Sequence, residues 1–452
     1  MDTPFEATSM ENKEKLTLAQ KIARRKIKPA NNFVWWLYGV LAHMPFFAPK
    51  YKPTYIVKDH PKDCPTGCFV IWNHLSRRDY LFLRVMLAPR KFSMVAGYTE
   101  FFRSHLALLF KLCHIVPKKP MYSNDIASIS AMMKLIKQGE IVTFSPEGTS
   151  SIFGDNQPIT PGTARFLKKM SVPVYCADYR GLYLESNKVD ITDKPGKCEI
   201  TLYKLFTPED LQKLSPEEID LKINETFHHD DYEWNKIKQY RYKGKGSMCS
   251  HLDDMIYECP KCGKRFTMLA NKDEIKCTNC GNGFALDERY NMTPLCENAV
   301  LASTPSKWVH YERQNIIKEI RKDSNFEFKA HYKIGGLPKY KYLKHHKLCE
   351  IQGEVDFIIN HEGIHMIGTR NNEPCEIHMS YKDVYTPCVE DDLQTLTFYP
   401  DGESTDIVID DKKGGYIIML IQEMHRLHVN TWKNFPWFDY MYEDIEGPSL
   451  LK

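Results

Sequence analysis

A chain of 452 residues has room for two or three domains, and 42% hydrophobic residues are enough to build their cores. Its 61 Lys and Arg against 58 Asp and Glu leave a net charge of +3, too little for a general polyanion binder, so nucleic acid is not an expected partner. The first thirty residues lack the apolar core of a secretory signal, and only four of the 14 cysteines share a metal-type spacing; a cytoplasmic protein with reduced thiols is expected.

Residues 12–28 carry Lys13, Lys15, Lys21, Arg24, Arg25, Lys26 and Lys28 among Leu16, Leu18, Ile22 and Ile27. This basic, helix-compatible segment suits an anionic lipid surface or plain solvation. Residues 33–47 follow, rich in aromatics and interrupted by His43 and Pro45. A spanning helix needs about 20 mostly apolar residues, so this shorter run fits a monotopic, partly inserted helix or a packing helix. Residues 1–50 are therefore expected to associate with a membrane surface.

The first domain is expected over residues 51–245. The apolar run Cys68-Phe69-Val70-Ile71-Trp72 reads as a short buried strand delivering Asn73-His74-Leu75-Ser76-Arg77-Arg78-Asp79. An alcohol is a weak nucleophile at neutral pH, and a histidine whose other ring nitrogen is held by a carboxylate can take its proton. His74 and Asp79 fit that pair; the same spacing also fits an ordinary helix N-terminus. Helices are expected over 80–87, 101–112 and 123–138, and strands over 92–96, 115–120 and 141–144. The last strand leads into Ser145-Pro146-Glu147-Gly148-Thr149-Ser150-Ser151, where glycine permits close backbone approach and the hydroxyls can hold an anionic oxygen.

Together, Asn-His-x-Ser-x-x-Asp and Phe-x-Pro-Glu-Gly-Thr resemble the lysophosphatidic acid acyltransferases of the glycerolipid acyltransferase family. The resemblance implies an α/β acyltransferase domain in which His74 is the general base, Asp79 its orienter, and Asn73, Ser76, Lys118, Glu147, Gly148, Thr149 and Ser150 line the substrate. It implies transfer from an acyl thioester, acyl-CoA or acyl-carrier protein, to a hydroxyl of a lysophospholipid such as 1-acylglycerol-3-phosphate, on the cytoplasmic face of a membrane. Val172-Pro173-Val174 matches the family's later Val-Pro strand. Two positions depart: the family usually has arginine where this chain has Ser150, and Lys118 or Lys119 stands nearest its other arginine. Lysine and serine cannot reproduce an arginine fork on phosphate. A lipid-binding scaffold without turnover is the alternative.

Helices are expected to begin at Thr207-Pro208 and Ser215-Pro216. The polar run His228-His229-Asp230-Asp231 reads as a solvated end, and 243–248 as a linker. Over 250–292, Cys259-x-x-Cys262 and Cys277-x-x-Cys280 form two knuckles, each followed by glycine. That spacing points to a closed four-thiolate zinc ribbon of structural role, read as a spacer or docking module, with redox dithiols or an iron–sulfur site as other uses of the same thiols. Over 306–440 a helix, six to eight strands and a helix at 414–428 resemble a pleckstrin-homology-like (PH-like) barrel with a terminal helix. The expected fold class is thus multidomain: an α/β acyltransferase domain, a small four-cysteine zinc ribbon and a C-terminal α+β domain. The last would bind lipid headgroups or a protein partner, with the basic run 339–347 facing the membrane.

Overall fold

A computed structural model describes residues 16–64, 66–122, 125–344, 347–391 and 393–432. The expected basic helix at 12–28 falls partly outside the described residues, as do the start of the helix at 123–138, His345 and His346 of the basic run, and 433–440 of the last domain.

Strands β1 (Pro53–Val57), β2 (Cys68–Trp72), β3 (Phe92–Gly97), β4 (Val116–Lys118), β5 (Ile141–Phe144), β6 (Val174–Arg180) and β7 (Cys198–Phe206) form one sheet in the order β1-β7-β6-β2-β5-β3-β4. β2 runs parallel to β5 and β6, and β3 runs parallel to β5 and β4. β7 is antiparallel to β6, with β1 parallel to β7. The strands β2 to β6 therefore all end at one carboxyl edge, where open α/β sheets place their sites.

The alternation along β2 explains its central place. Cys68, Val70 and Trp72 join one hydrophobic cluster, while Phe69 and Ile71 join another on the opposite face. The second cluster is closed by Met132, Leu135 and Ile136 of the helix Ile126–Lys137, by Leu167 of Thr163–Met170, and by Ile219 and Ile223 of Pro216–Phe227. On the first face lie Leu81, Phe82 and Leu83 of the helix Asp79–Met86. The single helix expected over 101–112 is two elements, a 3-10 turn Tyr98–Phe102 and a helix Ser104–Leu112.

Two expectations are corrected. The run 228–231 is not simply a solvated end: His228 is exposed, but His229 and Asp231 are buried, and Asp231 accepts the Gly181 and Tyr183 amides at 2.6 and 2.8 Å while also pairing with His229. Asp230 caps the helix Asp231–Lys238 and accepts the Ser306 hydroxyl at 2.7 Å. Nor is 243–248 a loose linker. The Met248 amide donates to Asp273 at 2.6 Å, and a Cβ on Gly244 or Gly246 would overlap Asp193 or Thr192 at 1.9 Å.

Strands β8 (Met268–Asn271), β9 (Glu274–Cys277), β10 (Gly283–Leu286) and β11 (Met292–Pro294) make an antiparallel ribbon. It is built into the core. The Tyr257 and Glu258 amides donate to the buried Glu312 carboxylate at 2.8 and 2.7 Å, and the Trp308 indole donates to the Glu258 carbonyl at 3.0 Å, both from the helix Pro305–Lys322. Tyr257 stacks on Phe266 at 5.2 Å and meets Tyr416 of the last helix edge-on.

Strands β12 (Glu327–Gly336), β13 (Glu350–Asn360), β14 (Gly363–Arg370), β15 (Glu373–Met379), β16 (Cys388–Val389), β17 (Thr395–Phe398) and β18 (Thr405–Val408) follow, in the order β15-β14-β13-β12-β18-β17-β16 with every neighbour antiparallel. The helix Gly414–His428 closes the domain at its expected bounds, almost wholly buried. β13 is one long strand of 11 residues, whereas β16 is only two residues long. Among the described residues β15 and β16 do not pair, so strand pairing alone does not close the expected barrel.

Candidate active site and metal centre

The register of two neighbouring strands assembles the site. β2 and β5 are parallel with Ile71 opposite Phe144, so His74 and Glu147 each lie three residues past the last paired position. The two motif blocks thus leave the carboxyl edge side by side, and the Ser151 amide donates to the His74 carbonyl at 2.7 Å.

His74 Nδ1 lies 2.7 Å from Asp79 Oδ2, the histidine side chain 28% exposed and the aspartate 2%. Asp79 stands in the first turn of its helix but does not serve as the N-cap, which is Arg78; its Oδ1 turns back to accept the Ser76 amide at 3.1 Å. The carboxylate is thereby held at both oxygens with one aimed at the imidazole. Burial pushes the Asp79 carboxyl up, against the pull of His74 and of the Ser76 amide.

Asn73 and Ser76 brace this loop. The Asn73 side chain donates to the Tyr179 carbonyl at 2.9 Å and accepts the Tyr179 amide at 2.7 Å, completing a backbone pairing just beyond β2. The buried Ser76 hydroxyl donates to the Ser186 carbonyl at 2.8 Å and accepts the Arg78 amide at 3.0 Å. A residue the motifs do not mark, Asp193, gathers Lys50, Tyr51, Arg77 and Arg78 around the same loop. Burial alone would raise its carboxyl, but Lys50, Ser186 and Arg78 hold it down to about 2. Its distance along the chain hides it from motif reading.

Glu147 is buried, with Oε2 accepting the Gln157 amide at 3.5 Å and Oε1 without a protein partner. Burial pushes its carboxyl well above the usual range, although the Gln157 and His74 amides oppose this. Gly148 has φ +74°, and a Cβ there would stand 2.7 Å from Thr160 Cγ2 and 3.1 Å from Met121 Cε, so only glycine fits. Thr149 and Ser150 are buried with hydroxyls that lack protein partners. Lys118 turns into its own loop, donating to the Lys119 and Tyr122 carbonyls at 2.9 and 3.2 Å beside Asp125; burial lowers its ammonium.

The four cysteines converge. The Sγ atoms of Cys259, Cys262, Cys277 and Cys280 lie within 4.8 Å of one another. The Cys259–Cys280 and Cys262–Cys277 pairs are 3.6 and 3.8 Å apart. A tetrahedral ion with metal–sulfur bonds of about 2.3 Å needs sulfurs about 3.8 Å apart, so the set fits. The two knuckles repeat one geometry: the Gly263 and Gly281 amides donate to the Cys259 and Cys277 carbonyls at 2.8 and 2.9 Å, both glycines at positive φ. Asn282 donates to Cys259 Sγ at 3.7 Å.

Comparison with known proteins matches two segments of the chain. Residues 56–179 match the family model described as Acyltransferase, and residues 253–290 match the zinc-ribbon model described as DNA directed RNA polymerase, 7 kDa subunit. No curated protein matches the chain. Among solved structures, the 1-acyl-sn-glycerophosphate (LPA) acyltransferase PlsC of Thermotoga maritima is similar at 19% identity and a TM-score of 0.37, over 46% of this chain and 80% of its own. The chain thus carries an acyltransferase-family domain over residues 56–179, joined to a zinc-ribbon domain.

Proposed function

We propose that the chain is an O-acyltransferase that moves a fatty acyl group from an acyl thioester, of coenzyme A or of a carrier protein, to a hydroxyl of a lysolipid. The observation that carries this reading is the 2.7 Å contact of His74 Nδ1 with the buried Asp79, set beside the Glu147-Gly148-Thr149 turn. With Nδ1 committed to Asp79, Nε2 is the nitrogen that takes the acceptor's proton as its oxygen attacks the thioester carbonyl. When the carbon–sulfur bond breaks, the same nitrogen returns the proton to the departing thiolate. General-base help of this kind is worth about 10²–10⁴-fold. Asn73 and Ser76 would position the His74 loop, and Gly148 and Thr149 would border the acceptor.

Zinc in the four-cysteine site would be structural, because four thiolates leave no open coordination position. The C-terminal domain, with its first strand between the second and the last and a helix at its end, supports the PH-like reading and a role in docking to headgroups or protein.

Membrane association is supported by an apolar surface. Phe33 and Trp36 of the helix Asn32–Ala42 are 66% and 59% exposed, and Leu108 of Ser104–Leu112 is 65% exposed. Val34 and Phe110 of the same two helices share a hydrophobic cluster, and Lys21, Arg24, Lys26 and Lys28 lie exposed in the preceding segment. No helix among the described residues is long and apolar enough to cross a membrane. Flotation with anionic vesicles should capture the protein, and Trp36→Glu with Leu108→Glu should release it; unchanged capture would exclude this face. The catalytic proposal is tested by the appearance of acylated product from acyl-CoA and a lysolipid.

A further inference from the structure

The charges on the carboxyl edge bear on which lysolipid the site accepts. A phosphomonoester head is a dianion, and taking it out of water requires cations that are not already neutralised. Six cations beyond these strand ends are engaged within the protein. Arg77 and Arg78 share Asp193. Arg103 is held by Glu390 at 2.7 Å and Glu100 at 3.1 Å. Lys118 donates to two carbonyls beside Asp125, and Lys119 donates to the Gly402 carbonyl at 2.5 Å. Lys188 donates to the Val389 carbonyl at 2.5 Å. Three of these locks, on Arg103, Lys119 and Lys188, come from the C-terminal domain.

The connection after β5, residues 145–162, contains no lysine or arginine at all. Its buried polar atoms without protein partners include the Thr149 and Ser150 hydroxyls and one oxygen of Glu147. Two of these are neutral, and burial favours the protonated, neutral form of the third.

We infer that this site takes a lysolipid whose head carries no net charge and discriminates against a phosphomonoester head. Resting on the acyl-transfer reading above, this removes 1-acylglycerol-3-phosphate as the favoured acceptor. A neutral head such as glycerol can hydrogen-bond to the free hydroxyls, and a zwitterionic head brings its own counter-charge.

The test separates binding from chemistry. Short-chain, monomeric lysophosphatidate, monoacylglycerol and lysophosphatidylcholine are titrated into the full-length protein by calorimetry without any thioester. Lysophosphatidate should bind about tenfold to a hundredfold more weakly than the better of the other two, the scale of one missing charge-assisted hydrogen bond. Equal or tighter binding of lysophosphatidate overturns the inference. The double variant Glu100→Gln, Glu390→Gln frees the Arg103 guanidinium and should raise lysophosphatidate affinity about tenfold with the other two unchanged; no gain would overturn the charge argument. Turnover with acyl-CoA is measured separately, so that failure of the chemistry and failure of the charge preference give different results.

Discussion

Asp79→Asn isolates the electrostatic part of the His74–Asp79 pair, because the replacement keeps the shape of the side chain. In the native loop one oxygen of Asp79 accepts the Ser76 amide at 3.1 Å and the other meets His74 Nδ1 at 2.7 Å. Asparagine has one acceptor and one donor group in place of two acceptors. If its oxygen stays on the Ser76 amide, its NH₂ faces Nδ1 and drives the ring proton to Nε2, the nitrogen that must be empty to act as base. If the amide flips, the Ser76 N–H loses its acceptor. The variant should therefore lose about 10²–10⁴-fold in kcat, or roughly 3–5 kcal/mol of transition-state stabilisation, with little change in KM. It should not lose stability, since burial already disfavours the Asp79 charge. The assay is steady-state release of free coenzyme A alongside a melting curve. An Asp79→Asn enzyme within twofold of the native rate would refute the base-and-orienter reasoning; a collapse in Tm with activity per folded molecule retained would assign Asp79 to the fold alone.

Removing the metal should act beyond the ribbon. The amides of Tyr257 and Glu258 bond Glu312, and Tyr257 packs on Tyr416, so a loosened ribbon releases both long C-terminal helices. Chelation at raised temperature, or Cys277→Ser, should release one zinc per chain and lower Tm by several degrees; zinc measured at far less than one per chain in freshly purified protein would refute the assignment. A pH dependence follows from Asp406, buried on β18, whose carboxyl is pushed up to about 7 by burial. Between its unfolded value of about 4 and 7 the native state holds a proton that the unfolded chain releases, so stability falls as pH rises through that window, by up to about 4 kcal/mol. Asp406→Asn should lessen that fall between urea melts at pH 5 and pH 8, and an unchanged difference would refute it.

How much the sequence disclosed depended on the range of the interaction. Strand β2, the helix Gly414–His428 and the four-cysteine knuckles are marked by local pattern, and they stand where expected. The pairing of the His74 and Glu147 blocks was legible as two motifs, and the shared register of β2 and β5 supplies the reason they meet. What escaped were polar residues whose partners lie far along the chain. The run 228–231 looks solvated until Gly181 and Tyr183 are seen to offer their amides to Asp231. The glycines of 243–248 resemble a flexible linker, yet their lack of a Cβ is what lets the chain lie against Thr192 and Asp193. Asn73, placed by motif on the substrate side, has both ends of its amide on Tyr179. Periodicity reports which face is buried, not what a buried polar group will meet there.

The measurement that bears most directly on the central claim is product formation. Purified full-length protein is incubated with acyl-CoA and a panel of lysolipids, with His74→Ala in parallel, and products are identified by mass. The account predicts a diacyl product that carries the donor's chain, formed by the native protein and reduced at least about 10²-fold in a variant that remains folded. No product from any acceptor, or equal product from His74→Ala, would contradict it, the first pointing to a lipid-binding scaffold and the second to a different base.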